Sequence, residues 1–153
     1  MANTYSRIYI QYVFAVKRRQ KLLNKQWREE VFKYIAGIIS SKGQKPIIIN
    51  GTEDHVHIFV GIKPSMCISD LVRDIKNNSS KYINEQGWLN QKFYWQEGYG
   101  AFSYAHSQID SVYQYILNQE KHHRKKTFEE EYIEFLQKFQ VEHNDTNLFD
   151  EKT

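Results

Sequence analysis

The order in which strand-like and helix-like patterns follow one another constrains the fold of this chain more than any other feature. Residues 5–16 place an apolar side chain at every second position, which predicts a first strand. The later patterns predict, in order, a helix over 27–39, a β-hairpin over 46–62, a helix over 68–83 and short strands over 93–95 and 101–104. This order is that of a split βαβ, or ferredoxin-like, antiparallel sheet with helices on one face.

Two more helices are predicted after this order is complete. Residues 109–119 form one of them, and it carries Tyr115 and Gln119. An apolar stripe over 128–139 predicts the other. The expected fold class is therefore α+β: a ferredoxin-like sheet, a separate helix with the tyrosine, and a C-terminal helix.

Two histidines stand two residues apart at the start of the second hairpin strand. On this strand Val56 and Ile58 point one way, and His55 and His57 point the other. We expect the apolar set to face the helices, so the histidines face away from that core. Their Cα atoms are then ~6.6 Å apart, at about 3.3 Å per residue, so both rings could bind one cation. The alternative is a chance pair of surface histidines.

Two histidines do not complete a coordination shell, so a third ligand must come from elsewhere. The candidates are Glu53, Asp54, His106 and Gln119. Gln119 lies one helical turn after Tyr115, so a single helix could bring a ligand and a nucleophile to the same place. With 11 tyrosines in the chain, residue type alone does not single out Tyr115.

Charge is distributed unevenly along the 153 residues, whose length is that of a single domain. Residues 1–126 hold 19 Lys and Arg against 10 Asp and Glu, a net charge of +9, whereas residues 127–153 hold 2 against 8, a net charge of −6. A basic body suits a polyanionic partner.

The sequence also indicates a compartment. The single cysteine, Cys67, excludes an internal disulfide and a cysteine zinc knuckle, and it is compatible with a reducing environment. No stretch approaches the ~18 consecutive apolar residues of a membrane span, and residues 1–20 lack an apolar signal core. We expect a cytoplasmic protein without a membrane partner.

Two motifs and the order of the elements resemble those of a known family. Asp54-His55-Val56-His57 on a strand, Tyr-Ile-Leu-Asn-Gln at 115–119 and the ferredoxin-like order are similar to the single-tyrosine HUH transposases, where U is a hydrophobic residue. These insertion-sequence enzymes move single-stranded DNA, and REP-associated tyrosine transposases are their domesticated relatives. The resemblance covers roughly residues 4–140. It implies a catalytic domain over 1–126, with 127–153 as an acidic helical extension of the same domain that the motifs do not cover.

The resemblance implies a role for each matching residue. His55, His57 and Gln119 would bind a divalent metal ion, Mg or Mn, and Tyr115 would be the nucleophile. The DNA would be single-stranded, with hairpins at the ends of the element, and the protein would be a homodimer. Whether Tyr115 serves its own chain or its partner is left open.

This chemistry suits the residue types. A tyrosine with a pKa of about 10 is ~0.1% ionised at pH 7, so either the phenol needs help to become a phenolate or the phosphate has to be made more electrophilic. A cation does the second by polarising a non-bridging oxygen. Attack leaves a 5′-phosphotyrosine and a free 3′-OH, and the retained bond energy permits rejoining without ATP. The expected DNA contacts are basic residues in polar segments: Lys17, Arg18, Arg19, Lys81, Lys121, Arg124, Lys125 and Lys126.

Two other functions compete with this prediction. A ferredoxin-like sheet with aromatic residues also describes non-catalytic RNA-binding modules, but their Lys/Arg-Gly-Phe-Gly/Ala-Phe strand is missing and they have no use for His55, His57 and Gln119 together. A metal-dependent hydrolase would replace Tyr115 by water, and its Tyr115→Phe variant would stay active.

Overall fold

A computed structural model describes residues 4–144 of the chain. Its elements are β1 (Ile8–Ala15), α1 (Arg28–Ser41), β2 (Lys45–Gly51), β3 (His55–Ile62), α2 (Ile68–Gln86), β4 (Gly100–Tyr104), α3 (Ile109–Leu117), α4 (Gln119–His122) and α5 (Phe128–Lys138). The strands form one antiparallel sheet in the order β2-β3-β1-β4. The predicted α+β, ferredoxin-like fold is confirmed.

One face of the sheet packs against α1 and α2. Alternate residues of β1, such as Tyr12 and Phe14, point to this side together with Val56 and Ile58 of β3. They meet the apolar stripes of the two helices, including Ile35 and other fully buried side chains. Burial of this apolar surface is the main stabilising contribution to the fold.

The other face of the sheet is covered by α3 and α5. Val13 of β1 and Phe102 of β4 pack against the α5 stripe of Phe128 and Phe135, and Phe59 packs with Ile116 of α3. A polar side chain of β3 that points away from α1 and α2 is therefore still buried. The second helical layer makes this face an interior as well.

Local contacts explain two differences from the predicted elements. Residues 93–95 form no strand beyond a single bridge between Trp95 and Val16, because the Asn84 side chain bonds both backbone groups of Phe93. The helix predicted over 109–119 ends at Leu117, and a new helical turn, α4, begins at Gln119.

The turn between β2 and β3 leaves no space for a side chain at Gly51. A Cβ atom there would lie 2.9 Å from Val56 Cα and still closer to the carbonyl oxygen of His55. We expect Gly51→Ala to lower the free energy of unfolding by about 1 to 3 kcal/mol, because neither backbone neighbour can move without disturbing β3. Urea denaturation would measure this change.

Gly37 provides the matched control for that substitution. It lies within α1, and a Cβ atom would meet nothing within 4 Å. Gly37→Ala should raise the free energy of unfolding by about 0.5 to 1 kcal/mol, since alanine loses less conformational entropy in a helix. Equal stability of Gly51→Ala and wild type would contradict the close approach at the turn.

The C-terminal segment is described only in part. Helix α5 begins with a capping box, in which Thr127 Oγ1 accepts from the backbone N–H of Glu130. Three glutamates in its first turn stabilise the helix by interacting with the positive end of its dipole. Part of the predicted acidic extension, residues 145–153, lies outside the described residues. Within 4–144, no helix combines the length and the apolar character needed to span a membrane.

Candidate active site

The two histidines of β3 lie between the sheet and the second helical layer. His55 and His57 are both 0% exposed, and their ring centroids are 5.2 Å apart. They face away from the core formed with α1 and α2, as predicted, but they are buried beneath α4 and α5 rather than exposed. The two rings are thus held together in an environment that excludes bulk water.

A carboxylate orients the ring of His55. Its Nδ1 lies 2.7 Å from Asp54 Oδ1, and because a carboxylate only accepts, Nδ1–H is the donor. Burial alone would raise the pKa of Asp54, but the hydrogen bond from His55 holds it below its ordinary value. The Nε2 atom on the other side of the ring lies 3.1 Å from Gln119 Oε1.

An amide fixes the ring of His57 in the same way. Its Nδ1 donates to Gln11 Oε1 at 2.6 Å, and Gln11 Nε2 donates in turn to the hydroxyl of Tyr104 at 2.8 Å. Burial lowers the pKa of His57 and so favours the neutral ring. Its Nε2 atom lies 3.0 Å from Glu131 Oε1.

Glu131 of α5 occupies the centre of this group. Its side chain is 2% exposed, and Oε1 lies 3.0 Å from Nε2 of His57, 3.0 Å from Nε2 of His123 and 3.6 Å from Nε2 of His55. Burial would raise the pKa of this carboxyl, but the imidazoles of His57 and His123 hold it well below its usual range. Glu131 is therefore an anion in the interior.

The arrangement of these atoms fits a divalent cation. Ligand atoms of His55, His57, His123 and Glu131 all lie within 4.8 Å of one another, and ligands bound to one ion at about 2.0 to 2.2 Å are about 3 to 4.5 Å apart. Nε2 atoms of His55, His57 and His123 converge here on a carboxylate oxygen of Glu131, and imidazole nitrogens and carboxylate oxygens are common ligands of divalent transition metals. Asp54 and Gln11 supply the outer hydrogen bonds that metal-binding histidines usually have.

Tyr115 reaches the same group from α3. Its hydroxyl donates to Glu131 Oε2, and its ring centroid lies 6.0 Å from that of His57. Burial, together with the repulsion of the Glu131 carboxylate, raises the pKa of Tyr115. The phenol is thus kept protonated while this contact persists.

The hairpin fixes the end of α3. Asn50 Nδ2 donates to the carbonyls of Ile116 and Leu117, at 2.9 and 3.1 Å. The helix breaks at Asn118, yet Gln119 remains fully buried and faces His55. The interruption therefore does not separate the tyrosine from the amide, since both contact the same cluster.

The other candidates for a third ligand do not face this cluster. Glu53 contacts Lys21 at 3.6 Å, and its side chain is 54% exposed. The Oδ1 atom of Asp54 is bonded to Nδ1 of His55, on the far side of the ring from Nε2. His106 Nδ1 lies 3.0 Å from the hydroxyl of Tyr9.

The sequence did not single out three residues that surround His55 and His57: Gln11, His123 and Glu131. Each carried a weak signal. Gln11 is a polar residue inside the apolar alternation of β1, and Glu131 falls on the apolar stripe of α5 between Phe128 and Phe135. His123 lies in the basic segment between Lys121 and Lys126, although its side chain is 11% exposed and turned inward.

The predicted DNA contacts are placed unevenly. Four of them line an open cleft of about 950 Å³ that reaches His123 and Asp54: Arg19, Arg124, Lys125 and Lys126. Lys121 and Arg18 are exposed but do not line this cleft, and Lys17 lies 5.4 Å from the centre of the Tyr94 ring. Lys81 lies on α2, which covers the opposite face of the sheet, and contacts Glu85.

A second opening leads to the cluster from the side of the tyrosine. It has a volume of about 380 Å³ and is lined by Tyr115, Glu131, Tyr104 and Phe135, among others. The cluster therefore lies between a charged cleft, which holds seven Lys and Arg and five Asp and Glu, and a pocket with more aromatic character. A polyanion bound in the charged cleft could place one of its charged groups at the pocket beside Tyr115.

Comparisons with known proteins identify the family and support the fold. A family model described as "Transposase IS200 like" matches residues 4–119. The fold is similar to that of a candidate transposase from Deinococcus radiodurans R1, solved at 1.90 Å resolution, with a TM-score of 0.65 and 20% identity over 78% of this chain and 95% of that one. It is also similar to a REP-associated tyrosine transposase bound to a REP hairpin, with a TM-score of 0.59 and 15% identity over 80% of this chain and 73% of that one. No curated protein shows significant similarity to the chain.

Proposed function

Because the chain belongs to the IS200-like transposase family, we propose that it cleaves and rejoins single-stranded DNA by transesterification, with Tyr115 as the nucleophile. The observation that carries this proposal is the hydroxyl of Tyr115 beside the buried cluster of His55, His57 and Glu131. A tyrosine next to a cation site has the parts required for attack on a phosphodiester. The family implies DNA cleavage, and the proposal assigns the attacking group of that reaction to Tyr115.

In the proposed mechanism His55, His57 and Gln119 would hold a divalent metal ion, Mg or Mn. When bound, the ion supplies polarisation of a non-bridging phosphate oxygen and stabilises the charge of the transition state. Tyr115 Oη forms a bond to phosphorus, the bond from phosphorus to O3′ breaks, the phenol loses its proton and the leaving 3′-oxygen gains one. Attack by that 3′-OH, or by another, reverses the step and releases Tyr115.

The hydroxyl of Tyr115 has to leave its hydrogen bond with Glu131 before it can attack a phosphate. This hydroxyl donates to Glu131, and the charge of that carboxylate opposes the loss of the phenolic proton. Entry of a phosphate beside Tyr115 requires this contact to open. The ring itself stays in place through its contacts with His122, at a centroid distance of 4.7 Å, and with Phe135 at 6.0 Å.

We propose that the cleft of about 950 Å³ holds the DNA backbone. Arg19, Arg124, Lys125 and Lys126 line it and would contact phosphates, and Lys17, Arg18, Lys81 and Lys121 would add contacts outside it. The substrate would be hairpin-bearing ends of an insertion sequence, a proposal supported by the REP hairpin bound to one structural neighbour. The protein would act in the cytoplasm, as a homodimer.

The proposal is tested by trapping the covalent intermediate. The purified protein is incubated with Mn²⁺ or Mg²⁺ and single-stranded DNA from the flanks of its own gene, labelled at the 3′ end. The 5′-phosphotyrosine retains the 3′ fragment, so we expect label on the protein in a denaturing gel, and none in EDTA or with the duplex. Binding without cleavage on every strand tested would favour a non-catalytic nucleic-acid-binding protein instead.

A mixing experiment decides which chain supplies the tyrosine. Tyr115 lies in the site of its own chain, so we expect the inactive variants Tyr115→Phe and His57→Ala to remain inactive when combined. If the tyrosine served a partner, a mixed dimer would contain one intact site and cleavage would return. Sedimentation of the mixture, with each variant carrying a different dye, checks that mixed dimers have formed.

A further inference from the structure

We propose that Glu131 and His123 are also ligands of the metal ion, so that the C-terminal helix is part of the metal site. This inference rests on the proposed function, which needs the ion, but it concerns residues outside 4–119, the segment that the family model matches. The proposal adds a carboxylate and a third imidazole to His55, His57 and Gln119.

Glu131 lies beside both histidines of β3, at a position that suits a further metal ligand. Nδ1 of His55 and Nδ1 of His57 donate to Asp54 and Gln11, so Nε2 is the ring nitrogen that each histidine turns toward Glu131. Glu131 Oε1 lies 3.0 Å from one Nε2 atom and 3.6 Å from the other. A divalent cation at this position would be bound by both Nε2 atoms and would neutralise the buried carboxylate.

His123 completes the same set from the turn after α4. Its backbone N–H donates to the carbonyl of Gln119 at 3.0 Å, which holds the turn against the cluster. Its ring centroid lies 4.3 Å from that of His55, and its Nε2 is 3.0 Å from Glu131 Oε1. The side chain therefore points at the position on which the other ligand atoms converge.

The enlarged set of ligands has a consequence for metal preference. Three imidazole nitrogens, one carboxylate oxygen and the amide oxygen of Gln119 make five protein ligands, which leaves one position of a six-coordinate ion for a phosphate oxygen or water. Imidazole-rich sites bind transition metals more tightly than Mg²⁺. We expect Mn²⁺ to bind at least tenfold more tightly than Mg²⁺.

The test measures Mn²⁺ binding to the full chain without DNA. Titration calorimetry gives the affinity, and water-proton relaxation gives the number of water molecules on bound Mn²⁺. For Glu131→Ala we expect affinity to fall by about 10- to 100-fold or more, the range already seen for loss of outer-shell groups, and one additional water to bind. The isosteric Glu131→Gln should also weaken binding, and circular dichroism of the metal-free variants checks the fold.

Glu134→Ala is the matched control. Glu134 lies three residues later on α5, its side chain is 53% exposed, and it contacts Lys126. We expect wild-type affinity and water count for it, whereas His123→Ala should gain a water as Glu131→Ala does.

Three results would overturn the inference or its premise. Equal affinities for Glu131→Ala and Glu134→Ala would overturn the inference and leave the proposed function standing. A lower affinity without an additional water would assign Glu131 a purely electrostatic effect and would also overturn it. Failure of the wild type to bind Mn²⁺ would instead contradict the metal-assisted function itself.

Discussion

Replacing Tyr115 by phenylalanine is expected to abolish DNA cleavage and the covalent adduct, with a loss on the order of 10⁴-fold or more. The substitution removes only the hydroxyl. The ring keeps its contacts with His122 and Phe135, and the cluster of His55 and His57 loses no ligand. Metal binding, DNA binding and the far-ultraviolet circular dichroism spectrum should therefore be those of the wild type.

Tyr113→Phe is the matched control for this prediction. Tyr113 lies on the same helix, and it is 37% exposed. Its variant should cleave at the wild-type rate. If Tyr115→Phe still cleaved while forming no adduct, water would be the nucleophile and the protein would be a metal-dependent hydrolase.

Loss of His57 is expected to have the second large effect. In His57→Ala the buried cluster loses one of its imidazole ligands, and Gln11 loses the donor at its Oε1 atom. We expect Mn²⁺ affinity to fall by about 100-fold or more, and cleavage to be lost at metal concentrations that saturate the wild type. Calorimetry and the adduct assay measure the two quantities separately.

His106→Ala controls for the general effect of removing a histidine. Its ring contacts Tyr9, and it is not among the ligands in the cluster. This variant should bind Mn²⁺ as the wild type does. Unchanged metal affinity in His57→Ala would contradict the assignment of the cluster as a metal site, whatever happened to cleavage.

The sequence predicted the parts of the fold that follow from local periodicity. The alternation in β1 and β3 and the stripes of α1 and α2 were sufficient for the ferredoxin-like sheet, and the family resemblance was confirmed. The pattern also placed His55 and His57 on the face away from α1 and α2. It did not predict their burial, because that depends on α5, which packs across the sheet from a distant part of the chain.

The missing members of the site had no local pattern strong enough to identify them. Glu131 interrupts the apolar stripe of α5, but a single acidic residue on such a stripe often reaches solvent at its edge. Gln11 is one polar residue in a buried strand. Both are understood only when β1, β3 and α5 are brought together, because each residue bonds to His57.

The position of Glu131 in the chain has a consequence for synthesis on the ribosome. β1, β3 and α3 are translated before α5, so a nascent chain that has reached Tyr115 contains the histidines and the tyrosine without their carboxylate partner. Val13 and Phe102 of the sheet are not covered by α5 until that helix has been made. The site in its described form is thus a late product of translation, and a stop codon introduced between residues 119 and 131 would preserve every family motif while removing Glu131.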